Sequence, residues 1–470
     1  MKSKQRIGIC LSAALFTTLS AAAQEPSAQI ESLMGKLHER GQFNGAVLVA
    51  KNGKVVYRAA FGLSDQSTGI TYRPETPSCL ASLSKPFTSL AIMMLADRHR
   101  LAYEDRISKY FPELPALGAV TVRQLMNHTS GIPDYSSDLD VDHPGVTIAE
   151  VLNALRKVER PLFTPGEKYQ YSNSGYLLLG LIVEKLSGRP LPVYLQEHVF
   201  DPVGMKSTFT LTGGRQKTSD VARGYDDFGS PNDTGGYLGG DGGLYSTVDD
   251  LFAFDQALYT GKLVTRSTLN QALTPGPVRT GETTYGLGWN ITNAADGRHV
   301  WHTGNTAGLR AFMERRIDAK TTVILLTNRG NSKRLDINQA IQDILAGQPY
   351  TFPRGSIAVA MRDIILKSGI DAGIAAYEAA KKTNPAEYDL GETELNTLGY
   401  RLLYQEHRQE DAAKVFLLNT AEHPSSNAFD SLAEAYQVLG DKDAARKYYG
   451  IAVQKDPQNL HAKRMLERLK

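Results

Sequence analysis

The chain has 470 residues, of which 41% are hydrophobic and 22% are charged, a composition typical of soluble globular proteins. At this length a single hydrophobic core is not expected, and two domains are the default prediction. The formal net charge of +2 is too small to indicate a nucleic acid or an anionic membrane surface as a partner.

Residues 1–23 have the three-part organisation of a secretory signal peptide. Basic residues near the start precede an apolar stretch from Ile7 to Leu19, which is too short to span a bilayer comfortably, and three alanines end the segment. We therefore predict a periplasmic or secreted protein that has no stable membrane span after signal cleavage. The alternative is that this segment stays on the chain as a short N-terminal membrane anchor.

The next hundred residues contain two local patterns of regular structure. Residues 30–40 have the apolar spacing of a helix. A second helix is predicted to begin close to Ser82 and to continue through residues 86–101. Between them, residues 46–50 and 55–59 flank an Asn-Gly pair, which predicts a β-hairpin.

The middle of the chain reads as short helices and loops, and strands return after it. We predict strands over residues 286–291, 311–317 and 322–327. Strands that flank a helical middle indicate an α+β fold, with an antiparallel sheet flanked by helices and a helical subdomain. This domain is predicted to cover residues 24–347.

The composition changes near Gly347, and a weak internal repeat follows. An Asp-Ala-Ala triplet begins at Asp411 and recurs at Asp443, each copy followed by an aromatic residue (Phe416, Tyr448) and a proline, and a looser copy begins at Asp371. The spacing is close to the period of about 34 residues found in tetratricopeptide arrays. Residues 348–470 are therefore predicted to form an all-α helical-repeat domain that recruits a protein partner. The alternative is an irregular helical appendage.

Ser82 and Lys85 are the first candidates for chemistry. A spacing of three residues is about one helical turn, so both side chains point the same way if a helix begins there. A serine hydroxyl is a poor nucleophile until a base takes its proton, and a lysine amine can do so when it is neutral. Burial and nearby cations would lower the pKa of this amine.

Two later motifs complete the pattern. Tyr171 and Asn173 lie two positions apart, and the triplet His302, Thr303, Gly304 follows. The order of Ser-x-x-Lys, Tyr-Ser-Asn and a basic-Thr-Gly triplet resembles the serine β-lactamase and D,D-peptidase superfamily. The chain is most similar to the branch that contains class C β-lactamases, D-aminopeptidases and related esterases. Further shared elements, in the same order along residues 30–345, begin at Leu125, Phe163, Gly242 and Tyr285.

The resemblance implies a role for each candidate residue. Ser82 is the nucleophile, Lys85 its base, and Tyr171 relays the proton to the leaving group. Asn173 holds Lys85 and the substrate. The backbone N–H groups of Ser82 and Asn305 would form the oxyanion hole, with the His302 triplet beside the substrate. Specificity in this superfamily lies in loops over the cleft, here residues 134–147 and 212–240.

His302 departs from the β-lactamase pattern, which has lysine there. Histidine is largely neutral at pH 7 and attracts an anionic substrate less. We therefore predict a serine hydrolase that cleaves esters or amides of small substrates through an acyl-enzyme on Ser82. One alternative is a β-lactamase or D,D-carboxypeptidase acting on β-lactams or peptidoglycan peptides. Another is a non-catalytic peptidoglycan- or peptide-binding protein whose repeats recruit a partner.

No cofactor or metal is predicted. The sequence lacks a His-Glu-x-x-His motif, a pair of cysteines at ligand spacing and a phosphate-binding glycine loop. Cys79 is the one cysteine left after signal cleavage and is predicted to be a small buried residue.

Overall fold

The structure is a computed structural model, and it describes residues 25–139, 145–211, 220–232 and 237–469. The predicted signal peptide and parts of the two predicted specificity loops lie outside the described residues. In the described ranges, no helix is both long enough and apolar enough to cross a membrane.

The strands are short outside the central sheet. In chain order they are β1 Gly45–Lys51, β2 Lys54–Phe61, β3 Leu63–Asp65, β4 Ile70–Thr71, β5 Ser78–Cys79, β6 Phe209–Thr210, β7 Leu244–Ser246, β8 Arg279–Thr280, β9 Thr283–Tyr285, β10 Asn290–Ala294, β11 Gly297–Thr306, β12 Leu309–Arg316, β13 Thr321–Thr327, β14 Gly355–Ser356 and β15 Tyr388–Asp389.

The α-helices occur between these strands and throughout the C-terminal region. They are α1 Pro26–Glu39, α2 Lys85–Asp97, α3 Val122–Met126, α4 Ile148–Arg156, α5 Asn173–Ser187, α6 Leu191–Leu195, α7 Asp201–Val203, α8 Val248–Leu258, α9 Arg266–Ala272, α10 Arg334–Leu345, α11 Ile357–Ser368, α12 Ile370–Thr383, α13 Glu392–Tyr400, α14 Gln409–Glu422, α15 Ser426–Val438, α16 Lys442–Lys455 and α17 Leu460–Arg468.

One antiparallel sheet organises the first domain, in the strand order β2-β1-β13-β12-β11-β10-β9-β8. Helices α1 and α10 cover one face through a core that includes Val47 and Leu325. Helices α2, α5 and α8 belong to the core on the other face, which Leu48 and Ile324 join. The predicted α+β class, with an antiparallel sheet flanked by helices, is confirmed.

The N-terminal elements match the predicted ones, with one shorter helix. Helix α1 buries its apolar face, and strands β1 and β2 form the hairpin, with Asn52 and Gly53 both at positive φ in the turn. Helix α2 ends at Asp97 instead of residue 101, because His99 has a φ of 54° and the chain turns there.

The predicted strand over residues 286–291 is wrong. Residues 286–289 form the turn between β9 and β10, with Gly288 at a φ of 93°, and the strand itself begins at Asn290. Strand β11, which carries His302, was not predicted. Its neighbour β12 and strand β13 agree with the prediction to within two residues at each end.

The C-terminal region is helical apart from the two-residue pair of β14 and β15, as predicted. It has its own cores, one of them around Phe416 and Leu398 and a smaller one around Tyr449. In helix α16, Tyr449 is fully buried, whereas Tyr448, the aromatic residue of the sequence repeat, is half-buried and stacks on Tyr436. The tetratricopeptide assignment and the boundary at residue 347 stay predictions.

Candidate active site

Ser82 lies in a single 3₁₀ turn, Ala81–Ser84, that runs directly into helix α2. Lys85 is the first residue of that helix, so the predicted one-turn spacing brings Lys85 Nζ to 3.1 Å from Ser82 Oγ. Ala81 has a φ of 47°, a left-handed conformation that residues other than glycine seldom adopt and that occurs at functional sites. Ser82 remains half-exposed.

Lys85 is completely buried, and its Nζ lies within hydrogen-bond distance of three polar groups, one of which is the Ser82 hydroxyl. Nζ donates to the side-chain Oδ1 of Asn173 at 2.8 Å and to the backbone oxygen of Asp241 at 2.7 Å. A neutral amine has two N–H groups and one lone pair, so donation to these two carbonyl oxygens leaves the lone pair for the Ser82 hydroxyl. Burial lowers the pKa of Lys85 to about 8.

Two buried carboxylates oppose this lowering of the Lys85 pKa. Asp241 is 0% exposed and accepts a hydrogen bond from Tyr135 Oη at 2.5 Å. Asp134 accepts one from the backbone N–H of Asn173 at 2.8 Å. Neither carboxylate was predicted from the sequence. Asp134 is the first residue of the predicted specificity loop at residues 134–147, and Asp241 directly precedes the shared element that begins at Gly242.

Tyr171 packs against Lys85, with Nζ 4.7 Å from the centre of the ring. Its hydroxyl is buried and has no hydrogen-bond partner of standard geometry among the described residues. Burial raises the pKa of this phenol well above its usual value, and the nearby Ser82 hydroxyl only partly opposes that effect. Tyr171 is therefore a neutral phenol, available as a proton donor.

His128 organises the segment that carries Tyr171 and Asn173. Its Nδ1 accepts the backbone N–H of Ser172 at 3.1 Å, just where helix α5 begins, and its ring lies 4.2 Å from the ring of Tyr171 and 4.6 Å from that of Tyr285. Burial lowers the pKa of His128 well below its usual value. His128 is therefore a neutral, interior residue that positions the start of helix α5.

His302 is buried as well, at 2% exposure, and both ring nitrogens are engaged. Nδ1 lies 2.6 Å from the backbone oxygen of Thr303, which only accepts, so Nδ1 carries the proton. Nε2 then accepts from Tyr285 Oη at 2.8 Å. Burial lowers the pKa of His302 to about 3, so the ring is neutral. Its predicted role in substrate binding stays a prediction.

Gly304 lets strand β11 approach the turn that bears Ser82. A Cβ on this residue would lie 1.9 Å from the backbone oxygen of Leu80. The close approach brings β11 against Leu80 and Ala81, directly before Ser82. The oxyanion hole formed by the backbone N–H groups of Ser82 and Asn305 stays a prediction. Arg334 fixes this part of the strand, since it donates to the Gly304 oxygen at 2.8 Å and to Asn305 Oδ1 at 2.6 Å.

Replacing Gly304 by alanine is expected to lower kcat by roughly 100-fold, because a misplaced oxyanion donor costs about that much. The added methyl group would push β11 away from Leu80, whose backbone cannot move aside easily. Steady-state kinetics on a nitrophenyl ester would measure the loss. As a control, Gly35→Ala, at a glycine of helix α1 with open space around it and no positive φ, is expected to keep kcat within about twofold. Equal kcat values for the two variants would contradict the expectation.

With this geometry in place, comparison with known proteins gives one family. The Beta-lactamase family model matches residues 30–348. The chain belongs to the beta-lactamase family. A penicillin-binding protein of Bacillus subtilis is 34% identical over 355 residues, which cover 70% of this chain and 78% of that protein. A D-aminopeptidase of Brucella anthropi is 29% identical over 330 residues, 66% of this chain and 61% of that protein.

Solved structures show the same fold for this beta-lactamase family member. A penicillin-binding protein homologue from Pyrococcus abyssi has a TM-score of 0.61 at 27% identity, covering 73% of this chain and 81% of that one. A class C β-lactamase has a TM-score of 0.60 at 21% identity, covering 69% and 96%. The relatives support a serine hydrolase in general. Within the described ranges, no group of three or more His, Cys, Asp or Glu side chains is placed to hold a metal ion.

Proposed function

We propose that this chain is a serine hydrolase that cleaves ester or amide bonds of small substrates through an acyl-enzyme on Ser82. One observation carries the proposal. The buried amine of Lys85 lies 3.1 Å from the Ser82 hydroxyl, and two carbonyl acceptors take up its N–H groups. That arrangement aims the lone pair of a neutral amine at the proton that must leave Ser82.

The reaction would run in two halves. Lys85 takes the proton of Ser82 as its oxygen attacks the substrate carbonyl, and the N–H groups of Ser82 and Asn305 stabilise the oxyanion. The proton then passes to the leaving group, with the neutral hydroxyl of Tyr171 as the relay. Water attacks the acyl-enzyme in the second half, and Lys85 and Tyr171 act in the reverse order to restore the Ser82 hydroxyl.

The buried, neutral His302 bears on the substrate class. The family's lysine would put a positive charge at this position, whereas this ring is uncharged and its nitrogens bond to Tyr285 and Thr303. Weaker attraction for a carboxylate favours esters or small peptides over β-lactams. The name of one relative, a D-aminopeptidase, agrees with amide substrates that contain a D-amino acid, whereas the name of another, a penicillin-binding protein, agrees with the β-lactam alternative.

A substrate screen tests this proposal. Purified protein and its Ser82→Ala variant would be assayed with nitrophenyl esters, D-alanyl peptides and the chromogenic β-lactam nitrocefin. We expect esters or peptides to give the highest kcat/KM in the wild type and no turnover in the variant. Nitrocefin as the best substrate would favour the β-lactamase alternative, and no turnover of any compound would favour the binding-protein alternative.

The pH dependence of the reaction is predicted from Lys85. The active form of a general base is the deprotonated one, so kcat/KM on an uncharged ester is expected to rise roughly tenfold per pH unit below the Lys85 pKa. It should level off above about pH 8, since burial sets the pKa of Lys85 at about 8. Burial lowers the pKa values of His128 and His302, so neither is expected to titrate near pH 6.5. A kcat/KM profile that levels off near pH 6.5 would contradict Lys85 as the base.

A further inference from the structure

A cleft of about 530 Å³ lies where the C-terminal helices meet the hairpin of β11 and β12. One wall is formed by the hairpin, with Ala307 and Arg310, and by the loop at residues 226–232. The other wall is formed by the end of α13 and the turn after it, with Tyr400 and Tyr404. The cleft therefore exists only because the two regions pack together.

A buried ion pair holds the two walls in place. Arg401, whose side chain is 8% exposed, donates to Asp226 Oδ2 at 2.7 Å and to Ser230 Oγ at 2.7 Å across the junction. It also donates to Glu406 at 2.9 Å on its own side and lies 5.2 Å from the centre of the Phe228 ring. Because Arg401 bonds to residues on both walls, the cleft is preformed in the absence of a ligand.

The helical wall has an unusual local conformation. Residues Arg401–Gln405 form a π-helical turn, a rare feature that often occurs at functional sites. The rings of Tyr400 and Tyr404 are parallel, with centroids 6.1 Å apart, and both hydroxyls donate to Glu434. Tyr404 is nevertheless 48% exposed. The turn thus presents fixed aromatic surface to the cleft.

The cleft lies at the C-terminal end of strand β11, the strand that carries His302 and Asn305. Strand β10 pairs with β11 only as far as Trp301, so among the described residues no strand pairs with this edge of β11 over residues 302–306. Ala307 is two residues beyond Asn305, about 7 Å along an extended chain. The hydroxyl of Tyr237 donates to the backbone oxygen of Asn305 on this edge at 3.2 Å. A substrate that lies along the edge with its reacting carbonyl at Ser82 displaces this hydroxyl and reaches the cleft within two or three residues.

The position of Tyr171 decides which end of the substrate points there. The ring of Tyr171 lies 6.5 Å from that of Tyr285, whose hydroxyl bonds to His302, so Tyr171 lies at the His302 end of the edge. The leaving group departs toward this proton donor. The acyl part must then extend in the other direction, past Asn305 toward Ala307.

We propose that this cleft binds the distal residues of a peptidyl acyl group, an assignment that rests on the proposed acyl-enzyme chemistry at Ser82. The exposed ring of Tyr404 offers a surface on which a peptide plane or side chain packs. Arg310 Nη1 donates to the backbone oxygens of Thr306 and Leu309. Its Nη2 lies 4.0 Å from Asp227 Oδ1, too far for a hydrogen bond, so Nη2 can donate to a peptide carbonyl and Asp227 can accept from a peptide N–H. A short acyl group such as acetyl would not reach these groups.

Two esters of one nitrophenol test the proposal, one with an acetyl group and one with an acetylated tetrapeptide ending in D-alanine. Tyr404→Ala is expected to lower kcat/KM on the peptidyl ester roughly five- to tenfold, mainly through KM. Activity on the acetyl ester should stay within about twofold of the wild type. The matched control is Leu417→Ala, an equally exposed residue of the same helical region outside the cleft, which should change neither activity.

A binding measurement separates this proposal from the proposed function. Calorimetry on the full-length Ser82→Ala protein with the acetylated tetrapeptide is expected to show binding that the added Tyr404→Ala change weakens by the same factor. Peptide binding without turnover of either ester would refute the hydrolase and keep the cleft. Ester turnover with no peptide binding, or equal losses on both esters in the Tyr404→Ala variant, would overturn the cleft assignment and keep the hydrolase.

Discussion

Replacing Lys85 by methionine is expected to lower kcat for ester hydrolysis by about 10²–10⁴-fold, the usual contribution of a positioned general base. Methionine has a similar length and is apolar, so it suits a site that is completely buried. The substitution removes the atom that lies 3.1 Å from Ser82 Oγ and that we propose as the acceptor of its proton. Steady-state kinetics, with circular dichroism to verify folding, would measure the effect.

The matched control for this prediction is Lys54→Met, a lysine on the exposed part of strand β2. It should retain wild-type kcat and thus show that the loss of a lysine charge alone has no effect. If the Lys85→Met protein is folded and keeps kcat within about tenfold of the wild type, Lys85 is not the base, and Tyr171 becomes the candidate.

Replacing Asp255 by alanine is expected to lower the free energy of unfolding by about 3–5 kcal/mol, since it leaves a buried charge without its partner. Asp255 and Arg315 are both 0% exposed, and Arg315 Nε lies 2.5 Å from Asp255 Oδ1. Thr322 also donates to this carboxylate, at 2.9 Å. The pair joins helix α8 to strands β12 and β13, so its loss weakens the packing of that helix on the sheet.

Chemical denaturation would measure this change, and an exposed ion pair provides the comparison. Asp249 pairs with Arg58 on the surface, where the side chains are 40% and 34% exposed. Asp249→Ala should cost less than about 1 kcal/mol. Equal destabilisation by the two variants would show that burial of the Asp255–Arg315 pair has no special consequence.

Features that depend on neighbouring residues could be predicted from the sequence. The hairpin of β1 and β2 follows from the Asn52-Gly53 turn, and Ser82 and Lys85 meet because one helical turn separates them. Strand β11 could not be recognised in this way. Only Val300 and Trp301 of its ten residues are large and apolar, because the strand passes a polar site and its pairing with β12 decides its conformation.

The electrostatic surroundings of Lys85 were also beyond sequence reasoning. Asp241 is 156 positions away along the chain, and no local pattern indicates that its backbone oxygen binds the amine. The residue type alone marks His302 as a departure from the family pattern. Its burial and its bond to Tyr285 arise from packing between β9 and β11, which the residue type alone does not reveal.

Covalent labelling of Ser82 tests the central claim most directly. Wild-type protein and the Ser82→Ala variant would be treated with a fluorophosphonate and analysed by mass spectrometry of the intact proteins and of their peptides. We expect one adduct on the wild type, located on Ser82, and none on the variant. An adduct on another residue, or equal labelling of both proteins, would contradict an acyl-enzyme at Ser82.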